Sequence, residues 1–576
     1  MYSDFNSLKK NLKKEFSCKY KLKVAVLGDS ATQLLCIALK GFALENRIDL
    51  SIYEADYNQI HLQLQNPQSY LHQFEPDYVI IFENHKKLAS NFYVTPPDTK
   101  PCFAQEKLQE VESYHAIVSH SLNAKLLYFN FLEVDDAIYG SYTSSYVGSL
   151  LYQTRLINIG LMQLAAKLSQ FQLVDILSKQ AQYGIDYLFD FKNYIKADMV
   201  FSLESLPLIA KIIVDQIKAQ LGIITKCAIF DLDNTLWGGI IGDDGVEKIQ
   251  IGNFGIGKVF TEIQYWAKEL KKRGIILCVV SKNTENIALE PFLKHPDMIL
   301  KMDDIAVFIA NWDNKVSNIK KIQQILNIGF DSMVFIDDNP FERNMVKENI
   351  PEILVPELPE DPSEYLAYLK SLNLFETTQV SSLDENRTEK YQTESARLKH
   401  ASLFKDEESY LRDLNMIAQV DPLNQYNLPR ASQLTLRSNQ FNLRTLRFSE
   451  EELLSYKNTE GQFVINFSLK DKFGDHGLIA IILLKELNSN QLFIENWAMS
   501  CRVLKRGMEN FIMNTLVDFA AKNNYEELVG EYIPTAKNEL VKNLYPSLGF
   551  EDVFNNQWIL KINTYYQLST TISNNL

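Results

Sequence analysis

Three apolar runs in the middle of the chain constrain its fold more than any other feature. "KCAIFDLDNT" (226–235), "GIILCVVSKN" (274–283) and "SMVFIDDNP" (332–340) each read as an apolar strand that stops on polar or acidic residues. A run that is apolar throughout, rather than alternating, suits a strand covered on both faces, as in parallel sheets. Helical segments lie between them. Val259, Phe260, Ile263, Trp266, Ala267 and Leu270 make one face of a helix closed by "KKRG", and Ile319, Ile322 and Leu326 make one face of a helix expected to end at Gly329. In an open α/β sheet, ligands bind beyond the carboxyl ends of the strands. The three polar strand ends are therefore expected to point at one site.

The first of them carries two carboxylates two residues apart, Asp231 and Asp233, then Thr235. That pair suits phosphoryl transfer: one carboxylate attacks phosphorus and the other handles the proton of the leaving group. Such chemistry also needs a divalent cation to offset the like charges, with hydroxyl and ammonium groups for the phosphoryl oxygens. Ser281, Lys315 and the Asp337–Asp338 pair follow in order at the later strand and helix starts. Together these residues resemble the four motifs of the haloacid dehalogenase (HAD) superfamily. The resemblance implies that Asp231 is the nucleophile and Asp233 the general acid/base. It further implies that Thr235 orients them, that Ser281 and Lys315 hold the phosphoryl group, and that Asp231, Asp233 (through its carbonyl), Asp337 and Asp338 bind Mg²⁺.

Only "WGGIIGDDGVEKIQIGNFG" (237–255) separates the first strand from its helix, enough for a hairpin flap but not for a cap domain. The site is thus open to a large substrate or to cover from another domain. Trp237, Lys248 and Asn253 are candidates for its rim, with simple flap packing as the plainer alternative for each. The stretches "DLDNTLWGG", "NWDNK", "FIDDNPFER", "SNQFNL", "DKFGDHGL" and "SCRVLKRGME" look like the FkbH-type, subfamily IIIC HAD proteins over about residues 220–552. That family implies removal of phosphate from a phosphorylated small acid such as 1,3-bisphosphoglycerate, with the glyceryl group passed to an acyl carrier protein thiol.

The flanks read as α/β on one side and α+β on the other. Before residue 220, "KLKVAVLGDSA" (21–31), "PDYVIIFEN" (76–84) and "AKLLYFNFL" (124–132) are strand candidates, with a helical pattern over 153–182. Its "GDS" resembles the nucleophile turn of SGNH esterases, but there is no His between His120 and His295 to serve as base. A degenerate SGNH-like domain is expected, with Asp29–Ser30 as a strand-to-helix cap. A Pro-rich acidic stretch at 355–365 opens a helical connector over 356–420, and 421–576 resembles the GNAT acyltransferase fold. In the GNAT pyrophosphate-loop window 504–509 the first residue is Leu504 and the last Glu509, which argues against free coenzyme A and suits a phosphopantetheine arm. Cys501 reads either as a thiol that carries an acyl group, its thiolate favoured by Arg502, Lys505 and Arg506, or as a small packed residue. Asn283, Arg502, Asn439 and Gln440 are substrate-binding candidates, folding roles being the alternative for the last two.

At 576 residues the chain needs several cores, divided here as 1–220, 221–355, 356–420 and 421–576. A net charge of −14 argues against nucleic acid, and no apolar run is long enough to span a bilayer. Six scattered Cys without a CxxC pair fit a reducing, cytoplasmic setting. The expectation is a Mg²⁺-dependent phosphatase coupled to acyl transfer. A plain phosphatase or phosphotransferase, and a carrier-protein scaffold without turnover, are the alternatives.

Overall fold

In the computed structural model, residues 3–378, 400, 404, 406–535, 537–554 and 556–574 are described. The chain divides into two compact units, Met1–Ile217 and Lys218–Leu576.

The first unit is built on five parallel strands, β1 (Tyr20–Gly28), β2 (Ile48–Glu54), β3 (Tyr78–Phe82), β4 (Lys125–Phe129) and β5 (Phe171–Val174), in the order β2-β1-β3-β4-β5. All four pairings are parallel, and β3 is buried along its whole length, as a sheet with helices on both faces requires. Two of these strands were not expected from the sequence. β2 is a short amphipathic edge strand, and β5 falls inside the stretch read as helical over 153–182. That helix runs only from Leu150 to Lys167, after which Leu168 turns extended.

The second unit begins with four parallel strands, β6 (Cys227–Phe230), β7 (Ile276–Ser281), β8 (Ile305–Ala310) and β9 (Met333–Ile336), in the order β8-β7-β6-β9. Phe230 pairs with Val279 on one side and Ile336 on the other, so the strands end at one level. β8, "IAVFIA", escaped the sequence reading. The helices Gly257–Lys272 and Lys315–Leu326 bury their apolar faces on this sheet. The second helix stops earlier than expected: Asn327, at φ 49°, takes the left-handed cap that the sequence had suggested for Gly329. Leu358, Tyr365, Leu369 and Phe375 also pack into this core, so it extends past residue 355 into the stretch read as a connector. Residues 379–399 of that connector lie outside the described residues.

The remaining strands form one eight-stranded, mainly antiparallel sheet. They are β10 (Ile417–Pro422), β11 (Gln462–Asp471), β12 (Gly474–Asn488), β13 (Gln491–Met499), β14 (Glu527–Glu531), β15 (Glu551–Phe554), β16 (Gln557–Lys561) and β17 (Ser573–Asn574), in the order β15-β16-β14-β13-β12-β11-β10-β17. β10 belongs to this sheet although its first residues were assigned to the connector. β13 and β14 are parallel over Gln491–Ile494 only, beyond which β13 continues unaccompanied by β14. The helix Met508–Lys522 covers this core through Phe511, Ile512 and Leu516.

Candidate active site

The site is assembled at the carboxyl edge of β6, β7 and β9. Asp231 follows β6 directly and is held in line by its N–H donating to Ile336 O at 2.9 Å. The chain then folds into one tight turn, with Asn234 at φ 51° and Leu236 N donating to Leu232 O at 2.8 Å. This turn brings Asp233 and Thr235 back beside Asp231. Ser281 ends β7, Lys315 opens its helix behind the Asn314 cap, and Asp337 follows β9.

Lys315 is the hub. Its Nζ lies 2.9 Å from Asp231 Oδ1 and 2.6 Å from Asp337 Oδ2, and all three side chains are buried. Oxygens of Asp231, Asp337 and Asp338 lie within 4.8 Å of one another, the one such group among the described residues. Three carboxyls against one ammonium in a desolvated pocket leave a negative excess. Burial raises Asp231, with Lys315 pulling it back and Asp337 pushing it further, and raises Asp337 likewise. Asp338 is pushed up to about 6 by burial and then by the Asp231 charge. For Lys315 burial works against the charge, yet Asp231 and Asp337 hold it above the ordinary lysine value. Oxygen ligands with an uncompensated charge are what a hard divalent cation takes, so the donor set fits Mg²⁺.

Asp233 is set apart from that cluster. Its Oδ1 accepts from Trp237 Nε1 at 2.9 Å and from Ile241 N at 3.0 Å, and its Oδ2 accepts from Asn283 Nδ2 at 2.8 Å. Asn283 also donates to Ser281 Oγ at 3.3 Å, so it contacts the catalytic candidates rather than standing out as a substrate group. Trp237 is not on the rim: it is fully buried, and its indole reaches inward. Thr235 Oγ1 accepts from Asp338 N at 3.2 Å and ties the first strand end to the last. Arg343 donates to the carbonyls of Asp337 and Asp338, a support that nothing in the local sequence announced. The flap itself is minimal, a single bridge in which Gly238 and Gln250 exchange bonds of 2.9 and 2.8 Å. Lys248 and Asn253 are exposed on it.

The other candidates gather elsewhere. Asn439, Gln440 and Cys501 line a cavity of about 380 Å³ together with Lys226, Ile276 and Ser332, which lie at the amino ends of the same strands. Lys226 and Asp231 flank β6 and are five residues apart, so at about 3.3 Å per residue the two sites are separated by roughly 16 Å of extended chain. Cys501 therefore faces the opposite edge of the sheet from Asp231. Its carbonyl accepts from Asn327 Nδ2 at 2.6 Å. Asn439 donates to Gly222 O at 3.0 Å and accepts from Arg447 at 2.6 Å, a folding role. Arg506 does not serve the thiol either, being buried against Asp471 (3.3 Å) and His476 (3.0 Å). The side chain of Arg502 lies outside the described residues.

A paired-carboxylate strand end, a serine, a lysine and a final acidic pair around one carboxylate cluster define a phosphatase domain of the HAD type. The chain is 46% identical to the N-terminal part of the protein BF1531 from Bacteroides fragilis, a structure described as containing a phosphatase domain complexed with Mg. That similarity covers 66% of this chain and 100% of the other, with a TM-score of 0.63. The protein belongs to the family of that phosphatase-domain protein, and its residues 23–218 match the FkbH N-terminal domain. It is also similar, over 26% of its length, to the ribosomal-protein-S18-alanine N-acetyltransferase of Escherichia coli (20% identity, 100% of that chain, TM-score 0.21) and a spermidine N-acetyltransferase of Vibrio cholerae (13%, 95%, 0.21). No protein with a curated description matches it.

Proposed function

We propose that the protein is a Mg²⁺-dependent phosphatase working through an aspartyl-phosphate, and that it acts on a phosphorylated small acid of the 1,3-bisphosphoglycerate kind. The observation that carries this reading is the buried cluster in which Lys315 bridges Asp231 and Asp337. Asp231 attacks phosphorus while Ser281 and Lys315 hold the phosphoryl oxygens. Asp233, oriented by Trp237, Ile241 and Asn283, gives a proton to the leaving oxygen and later takes one from the water that cleaves the aspartyl-phosphate. Asp231, Asp337 and Asp338, with the Asp233 carbonyl, would hold Mg²⁺, which offsets charge on the phosphoryl group when bound.

An open site with an apolar margin favours a substrate presented by a larger partner. Phe254 and Trp312, on loops that come after β6 and β8, and Phe341, in the first turn of the helix after β9, are all exposed, and exposed aromatic groups around a site mark a docking rim. An acyl carrier protein fits this rim: a thiol would take the glyceryl group by displacing the C1 phosphate of the mixed anhydride, and the Asp231 site would remove the C3 phosphate ester, its leaving oxygen becoming the C3 hydroxyl. The C-terminal part, read as a GNAT-like domain, would then act at a second station on the opposite edge of the sheet, with the carrier arm linking the two.

The experiment is incubation with Mg²⁺, 1,3-bisphosphoglycerate and a holo carrier protein. Phosphate release with a mass gain on the carrier supports transfer, and phosphate release alone supports the plain phosphatase. No release, with no difference between the wild type and Asp231→Asn, overturns the enzymatic reading.

A further inference from the structure

The Gly-Asp-Ser turn after β1 takes no part in the phosphatase chemistry, yet the first unit builds a polar crevice around it. The strand order β2-β1-β3-β4-β5 reverses between β1 and β3, where doubly wound sheets open their ligand site beyond the carboxyl ends. Asp29 follows β1 there, Glu83 and Asn84 follow β3, and all three line a cavity of about 510 Å³. Leu88, Phe103 and Phe131 give it an apolar wall. A concave site with apolar walls and a few convergent polar groups is the usual form of a small-molecule pocket.

The floor is a closed network. Lys107 Nζ lies 2.6 Å from Glu83 Oε1 and 2.6 Å from Glu110 Oε2, so its charge is spent. Tyr114 donates to Glu110 Oε1 at 2.7 Å, His61 Nε2 lies 2.7 Å from the same oxygen, and Tyr128 donates to Glu83. Asp29 differs. It accepts from the N–H of Asn84 (3.1 and 3.0 Å), from Asn84 Nδ2 (3.2 Å) and from Ser30 Oγ (3.2 Å), but among the described residues no Lys or Arg pairs with it. Lys87, near by, is engaged by Asn58 (2.9 Å) and Asp198 (3.5 Å). Burial, and then the Glu83 charge, push Asp29 up to about 7. Ser30 is fully buried with its hydroxyl on Asp29, so the carboxyl and not the hydroxyl faces the cavity.

The lining holds four carboxyl groups (Asp29, Glu83, Glu106, Glu110) against two lysines (Lys87, Lys107). A cation placed beside Asp29 would relieve its repulsion with Glu83 in a desolvated crevice. A metal ion is the poorer fit, since the carboxylates here do not converge as the Asp231 group does, and Lys107 already lies between Glu83 and Glu110. We propose that this crevice binds a small organic cation, its ammonium group on Asp29 and its apolar portion along Leu88, Phe103 and Phe131.

The test uses the full chain and three compounds of one shape, 2-phenylethylammonium, 2-phenylethanol and phenylacetate, titrated by calorimetry with ligand-observed NMR. The expected result is saturable binding of one ammonium ion per chain, about tenfold weaker binding of the alcohol, and weaker binding still of phenylacetate. Asp29→Asn should weaken the ammonium about tenfold. If that variant does not fold, the wild type still decides: affinity should rise as pH climbs through about 7, where Asp29 ionises. Glu83, Lys87, Tyr114 and Tyr194 are the other titratable groups that face it. The same series on His61→Gln separates Asp29 from the imidazole at the rim. No saturable binding of the ammonium, phenylacetate binding as tightly, unchanged affinity in Asp29→Asn, or a flat pH series would each overturn the proposal.

Discussion

Replacing Trp237 with Phe separates the two roles its indole can play, packing and orientation of Asp233. The indole N–H donates to Asp233 Oδ1 at 2.9 Å, while the ring sits in the core edge-on to Phe292 with centroids 6.0 Å apart. Removing one partner of a hydrogen bond in such a shielded place costs about 1–3 kcal/mol, and the smaller ring leaves a cavity costing about 1 kcal/mol more. Trp237→Phe should therefore lower folding stability by roughly 3 kcal/mol. Asp233 keeps Ile241 N and Asn283 as donors, so it stays near its place with a looser orientation. If about half of the lost bond is felt in the transition state, the cost is about 1.4 kcal/mol, or about tenfold in rate. The assay compares kcat/KM for an alkyl phosphate, whose leaving oxygen needs a proton, with p-nitrophenyl phosphate, whose leaving group departs without one. The alkyl phosphate should lose about tenfold and the nitrophenyl ester about twofold or less. Equal losses with both substrates would show that Trp237 only packs, and the reasoning about Asp233 would fail.

Asp231→Asn should abolish phosphate release, and it should also raise the melting temperature by removing a carboxyl from the buried group around Lys315; a melting temperature that falls would contradict that charge argument. Burial lowers His85 to about 4. The unfolded chain takes up its proton near the ordinary value of about 6.5, so stability is lost as pH falls between the two, about 2 kcal/mol by pH ~5; His85→Gln should flatten that acid limb in a denaturation series. Asp29 has the opposite sign: its folded value is raised, so the stability it contributes is present in acid and lost as pH rises through about 7. Asp29→Asn is thus expected to stabilise the first unit at pH ~8 by up to roughly 4 kcal/mol, about three units at ~1.4 kcal/mol each, read as a higher denaturation midpoint, and no gain would argue against a buried carboxylate without an ion-pair partner. Cys501→Ser should leave phosphate release unchanged, because its cavity is lined by the amino ends of the strands; a loss of release would mean that the two edges of the sheet communicate.

The chemistry of the site was legible because parallel strands translate chain direction into position. Asp231, Ser281 and Asp337 each follow an apolar run, and parallel pairing in register puts all three at one edge. Strands without a sharp polar end were harder to read. β5 lies only a few residues beyond an 18-residue helix whose apolar spacing runs into it, and β8 stops at Ala310, five residues short of Lys315, which draws attention to the helix start and not to the strand. The donors that orient Asp233 were hidden for another reason. Trp237 stood next to two glycines and read as flap, and only the tight turn through Asn234 folds its indole back under the carboxylate.

Local sequence thus determined the parallel strands, their polar ends and the phosphoryl-handling residue types, since a strand's direction and its terminal side chains are properties of a dozen consecutive residues. Tertiary structure alone decided which groups share a pocket. It brought Lys315 between Asp231 and Asp337, turned Arg506 inward to Asp471, and carried Cys501 to the far edge of the sheet, because those placements depend on how helices and the second sheet pack against β6–β9, and packing joins residues that no local stretch of sequence holds together.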